Sequence, residues 1–261
     1  ASPFFHGFQA DAEYRLGRWE RADYWARVDK RRAALTDDPR LRVLLPLWES
    51  IAPMLRGRFD EAYRIQRADF AAFDLDFEDF PAVVVAWAAL VPALAGDCDR
   101  VVPHLERIFP RDNLDRAARD ANRNRDFTRA AHVLAWCRQG RAETALDDAL
   151  LAAMEEDFLG RPEVGLTSTD WFTAAVTASM RGEADLAVAR FERAVALGWR
   201  SLNVHAHEPT WAELRRDPRV KPLLQKVRED IEEQRRLAQQ RDTEWDPIEW
   251  HRQQRVAPAG S

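Results

Sequence analysis

A chain of 261 residues with 44 acidic and 39 basic side chains is long enough for a sizeable buried core and carries a net charge of −5. Its charges are scattered and form no basic stripe, which excludes a dedicated nucleic-acid surface. Arginine is used almost to the exclusion of lysine (only Lys30, Lys221 and Lys226), which reads as GC-rich coding and so as a bacterial source.

The chain opens on "ASPFFHGF" and reaches its first methionine only at Met54, as expected of a piece of a longer protein. No signal peptide is recognisable, so targeting leaves the compartment open. Five segments then align in chain order: "LGRWERADYW" (16–25), "RGRFDEAYRI" (56–65), "AGDCDRVVPH" (95–104), "QGRAETALDD" (139–148) and "RGEADLAVAR" (181–190). Their glycines, Gly17, Gly57, Gly96, Gly140 and Gly182, stand 40, 39, 44 and 42 residues apart. Each follows one helix-like apolar stretch and precedes another, where a left-handed residue closes a helix at no steric cost. Five residues on come Ala22, Ala62, Val101, Ala145 and Ala187, small enough to let the second helix lie against the first. Alternating β-branched runs bounded by turns do not occur, so the predicted class is all-α, built of about five antiparallel helix pairs.

Between these turns lie stretches with two readings each. "FDLDFEDF" (73–80) gathers Asp74, Asp76, Glu78 and Asp79 but lacks the glycine of a calcium loop, so it is expected to be a solvated acidic connector. "FPAVVVAWAALVPALAG" (80–96) is too short to span a bilayer and contains Pro92, so a core helix is expected and membrane insertion is not. The arginines between Arg111 and Arg129 alternate with Asp112, Asp115, Asp120 and Asp126, the pattern of a surface helix laced with ion pairs. Cys98 and Cys137 fall on opposite sides of equivalent turns. They are either a disulfide of an oxidising compartment or two small buried hydrophobes.

The best-formed unit, "DWFTAAVTASMRGEADLAVARFERAVALGW" (170–199), places Trp171, Gly182, Ala187, Phe191 and Ala194 where a tetratricopeptide repeat carries its signature large and small residues. Over roughly residues 5 to 200 the chain resembles a tetratricopeptide-like (TPR) array, with a period longer than that family's 34 residues. The resemblance implies an α-α superhelix whose partners bind a concave face lined by the first helix of each pair. Projecting the repeat register puts Phe127, Leu134 and Arg138 on that face from the fourth unit, and Phe172, Val176 and Met180 from the fifth. So apolar a face suits a hydrophobic ligand, a self-interface or burial by longer helices.

After residue 200 comes "NVHAHEPTWAELRRDPRV" (203–220). His205, His207 and Glu208 contain metal-ligand chemistry, yet an H-x-H pair with no third histidine nearby is expected to be a loop without metal. Asp217 suits an N-cap and Pro218 the first helical position, with Val220, Leu223, Leu224, Val227 and Ile231 as the apolar stripe of a long helix from about Pro222 to Arg241. That helix is expected to cap the array, with a dimerising coiled coil as the alternative. Trp245, Ile248 and Trp250 in "TEWDPIEWHRQQR" are expected to fold back on the body. The boundaries so read are repeats 1–200, a capping segment 201–241 and a tail 242–261.

The composite "FERAVALGWR…EPTWAELRRDPRVKPLLQKVREDIEEQRR" is similar to the close of the TPR regions in bacterial CadC-like winged-helix transcriptional regulators and class III adenylate cyclases. That likeness implies a non-catalytic module for protein or peptide interaction or signal sensing, attached to an output domain and periplasmic if CadC-like, cytoplasmic otherwise. A small-molecule or metal sensor and a structural homodimerisation domain are the alternatives. P-loop, dinucleotide, zincin and serine-elbow motifs are absent, so no catalytic residue, cofactor or metal is expected.

Overall fold

The computed structural model describes residues 5–34, 49–73, 82–110, 112–123, 125–139 and 144–256, and among them every regular element is helical. The fold is all-α. Gly140 and the acidic stretch 74–80 lie outside the described residues.

Helices α1 (Phe5–Arg15) and α2 (Trp19–Ala34) form the first hairpin. Residues 49–55 are helical and turn into α3 (Phe59–Phe73). The apolar run becomes α4 (Ala82–Ala88) and α5 (Leu90–Leu94), broken at Ala89, and turns into α6 (Cys98–Ile108). α7 (Leu114–Arg123), α8 (Arg125–Gln139) and α9 (Thr144–Leu159) pack on one another, and α10 (Ser168–Met180) pairs with α11 (Ala184–Ala196). A one-turn α12 (Leu202–His205), a 3-10 turn at Pro209–Trp211 and the short α13 (Ala212–Arg216) lead to the long α14 (Val220–Glu244) and to α15 (Pro247–Val256).

The glycine turns are alike in detail. Gly17, Gly57, Gly96 and Gly182 all have positive φ, from 66° to 92°. In each, the glycine amide donates to the carbonyl three residues back (Tyr14, Met54, Ala93, Ser179). The next amide donates to the carbonyl five residues back (Glu13, Pro53, Pro92, Ala178), which satisfies two groups that a helix end leaves open. The small residues five positions on, Ala22, Ala62, Val101 and Ala187, are buried, as close contact of the two helices requires. Gly198, which stands outside the repeat alignment, closes α11 in the same way, with φ 86°.

Two apolar clusters form the interior. One runs from α1 to α9; the other joins α10, α11, α13 and α14, and Met180 packs against both. Leu90 to Leu94 are all buried in the first, and no described helix is long and apolar enough to cross a membrane. Cys98, at the start of α6, is disulfide-bonded to Cys137, near the end of α8, with Cα atoms 5.5 Å apart.

The long helix α14 has two halves with different chemistry. Val220, Leu224, Val227 and Ile231 are buried in the second cluster, so its apolar stripe is satisfied within the chain. Its second half is polar and reaches the first hairpin, where Arg235 Nε donates to the Leu16 carbonyl at 2.8 Å and Asp242 pairs with Arg18. Asp246 just beyond accepts from both terminal nitrogens of Arg21 at 3.1 Å, and His251 Nδ1 meets the Tyr24 hydroxyl at 2.8 Å. Ile248 is buried in the first cluster, whereas Trp245 and Trp250 pack on each other and stay about half exposed. Helical geometry begins at Val220, close to the start near Pro222 expected, and Asp217 caps the turn before it by accepting from the Arg219 amide at 2.9 Å. The arginines of this helix pair at i,i+3, Arg235 with Glu232 and Arg236 with Glu233.

Nothing stands within 4 Å of the place a Cβ would take on Gly182, whereas a Cβ on Gly57 would stand 2.7 Å from Cγ of His207. Gly182→Ala should therefore cost only the left-handed backbone penalty, about 1–2 kcal/mol. Gly57→Ala should cost more in urea unfolding, and His207→Ala should reduce the excess. Reduction of the disulfide, which closes a loop of sequence separation 39, should lower stability by about 4 kcal/mol in the same assay. An equal midpoint for oxidised and reduced protein would contradict that.

Candidate functional site

The segment from Ser201 to Trp211 joins several distant parts of the molecule. The Ser201 hydroxyl accepts from Arg15 at 2.5 Å, and Asn203 Nδ2 donates to the Arg15 carbonyl at 2.9 Å, both on α1. His207 lies against the Gly57 turn. Glu208 is paired with Arg129 of α8, and Val204 joins the first apolar cluster. On its other side the segment is held by aromatic rings. Phe172 of α10 stacks on Trp199 at 4.4 Å between centroids and meets His205 at 5.0 Å and Trp211 at 5.3 Å. Trp211 Nε1 donates to the His205 carbonyl at 2.7 Å and fixes the loop on itself.

At the centre is a buried charge cluster. Burial by itself would push the Glu208 carboxyl up, but the Arg129 guanidinium and His205 beside it hold it down at about 2. An ionised carboxylate only accepts hydrogen bonds, so His205 Nδ1, 2.9 Å from Glu208 Oε1, carries a proton and donates it. His132 of α8, fully enclosed nearby, is pushed down to about 4 by burial, with the Glu208 charge opposing and His205 adding to the shift. It is therefore neutral at pH 7. Its Nε2 lies 2.9 Å from the Thr177 hydroxyl, which itself bonds to the Thr173 carbonyl at 3.1 Å. Among the described residues, Arg129 Nε is buried with no hydrogen-bond partner.

Two neighbouring hollows adjoin this cluster. The lower one, about 30 Å³, is bordered by Arg129, His132, Phe172, Val176, His205 and Glu208. The upper one, about 150 Å³, lies between α7, α9 and α10, and its wall includes Asn122, Met154, Glu155, Phe158, Arg161 and Asp170. Thr128, Thr169 and Thr173 border both. The charges in the upper wall are matched. Glu155 holds Arg190 of α11 through both oxygens, with the guanidinium 5.1 Å from the Phe158 ring centroid, and Arg161 pairs with Asp170 at 2.9 Å. Asp170 also closes a capping box at the start of α10, accepting from the Thr167 amide at 2.8 Å.

Of the six residues projected onto a groove, Phe172 and Val176 border the lower hollow. Leu134 is wholly inside the first cluster, Met180 fills the seam between the two clusters, and Phe127 packs edge-on to Phe109. Arg138 is buried and paired with Glu106 at 2.5 Å. The structure thus does not gather all six on one open surface. His205 is buried and His207 exposed, so the two imidazoles part company. Among the described residues no three His, Cys, Asp or Glu side chains stand close enough together to hold a metal ion. Arg129, expected on a surface helix, is instead a centre of the buried cluster; Arg116 and Asp120 do pair on the surface at 3.6 Å. The available signal was local: Thr128, Arg129 and His132 share one face of the otherwise apolar stretch 127–137.

Comparison with protein-family models, with curated proteins and with solved structures gave no match for this chain.

The buried cluster makes stability pH-dependent. His132 titrates lower in the folded protein than its ordinary 6.5, so the stability it protects is complete above 6.5 and is lost as pH falls toward 4. The shift corresponds to a loss on the order of 3 kcal/mol. Glu208, lowered from 4.5 to about 2, adds a second loss below 4.5. Denaturation midpoints should fall through both windows, and His132→Gln should flatten the upper one while leaving the lower. A midpoint constant from pH 7 to pH 4 would contradict the burial of a neutral His132.

Proposed function

We propose that the chain is a non-catalytic helical-repeat module, TPR-like in its hairpins, that mediates protein or peptide interaction or senses a signal for a larger bacterial regulatory protein. The observation that carries this reading is the recurrence of one helix-closing turn, at Gly17, Gly57, Gly96 and Gly182, each with a buried small residue five positions on. Such recurrence builds stacked hairpins, and stacked hairpins present extended surfaces for partners. The ionisable groups at the centre favour a binding role over catalysis, because Glu208 and Glu155 are each committed to an arginine. A nucleophile or general base needs an uncommitted lone pair facing its substrate.

The Cys98–Cys137 bridge supports an oxidising compartment, in keeping with a periplasmic sensory region. Self-association through α14 has less support, since its apolar stripe is spent on the second cluster. Sensing of a small molecule is favoured by one specific feature, the polar hollow beside α10.

A photo-crosslinking side chain in place of Arg161, at the rim of that hollow, should capture a discrete protein in cells of the source organism. The same probe in place of the exposed Glu192 on α11 should not. Equal labelling from both positions, or turnover of a substrate by the purified chain, would overturn the reading.

A further inference from the structure

The upper hollow has the size and chemistry of a ligand site. Its volume is about 150 Å³, and a cavity of roughly that size accepts a six-membered ring. A hollow lined by leucine and phenylalanine would take an apolar ring, but here threonines and the amide of Asn122 accompany a small apolar patch from Met154, Phe158 and Ala174. Thr169 and Thr173 border it with hydroxyls, each able to donate and to accept. Asn122 spends its amide nitrogen on the Met154 carbonyl at 2.8 Å and on Asp157 at 2.9 Å, which leaves its carbonyl oxygen as an acceptor.

Charge narrows the ligand further. Glu155 is neutralised by Arg190 and Asp170 by Arg161, so the wall offers no unmatched charge to an ion. A charged ligand would lose its hydration without a counter-charge in return. The smaller hollow beside it shares Thr128, Thr169 and Thr173 as lining and has room for about one water-sized group. Arg129 borders that space, and its buried Nε–H has no acceptor among the described residues.

We infer that the hollow between α7, α9 and α10 is a binding site for a neutral, polyhydroxylated six-membered ring, that is, a pyranose monosaccharide. Its ring CH face rests on Met154 and Phe158, its hydroxyls meet Thr169, Thr173 and Asn122, and one substituent oxygen descends to Arg129 Nε. The site deepens the sensing side of the proposed function, on which it rests, and names the signal as a sugar. Occupancy would tie α10 to α7 and α9, and through Arg129 to the segment that closes the fold.

The test is titration calorimetry and thermal shift on the purified chain with its disulfide intact. The probes are glucose, galactose and mannose, with glucuronate, glucosamine and benzene as charged and apolar controls. At least one neutral pyranose should bind with a dissociation constant of about a millimolar or tighter. Thr173→Val and Thr169→Val, which keep side-chain shape, should each weaken that binding about tenfold with the melting temperature of the free protein unchanged. Chemical-shift changes of the Met154 methyl on titration provide a readout that does not depend on either variant. The inference is overturned if no neutral pyranose binds up to about 50 mM, if a charged or apolar control binds tighter, or if both valine variants bind as the parent does. Crosslinking at the rim that persists after such a result would leave the interaction module standing without its sugar, so the two failures are separable.

Discussion

A carboxylate buried between an arginine and a histidine organises this molecule. Glu208 cannot stay ionised inside the protein without Arg129 and His205, and an unpaired partner left behind would be a buried charge with no compensation. The pairing therefore fixes where the 201–211 segment lies to within hydrogen-bonding distance. Once it is fixed, Ser201 and Asn203 reach α1, His207 reaches the second glycine turn, and the aromatic rings of Phe172, Trp199 and Trp211 close around His205. A short loop thus holds hairpins that are far apart in sequence. Its polar centre supplies the position and its aromatic flank supplies burial.

The helix that follows works on the same principle, divided along its length. Its first half is apolar on one face and closes the second cluster; its second half carries arginines and aspartates that grip the first hairpin. That division is why only about two heptads of α14 are apolar. A helix built as a dimer seam would continue the stripe, whereas this one exchanges it for ion pairs where its neighbour becomes polar.

The recurring helix-closing turns were legible in the sequence because a left-handed turn requires glycine and a close helix contact requires a small residue, and both leave marks at fixed spacing. Gly17, Gly57, Gly96 and Gly182 with their companions carried that information. The interior site was not legible as a unit. Asn122, Glu155 and Thr173 come from three different helices, and no periodicity links them. Arg129 was hidden by its neighbours: among alternating charges it reads as solvated, and only the apolar residues after it show that its helix is enclosed. The histidine pair drew attention for its metal chemistry, while the carboxylate beside it holds the structural role. Register explains the groove residues, since a helix buried on most sides lets a projected face point equally well into the core, as Leu134 does.

The contacts of Asp242, Asp246 and His251 with the first hairpin have a consequence for cooperativity. In an open array each hairpin senses only its neighbours, so the ends fray and unfolding spreads inward as a front. Here the last helices hold the first, and a linear chain of couplings becomes a loop. Neither end is free to begin the process alone. Opening at the first hairpin must be felt at the last, so a molecule assembled from helix hairpins is wired to melt as one.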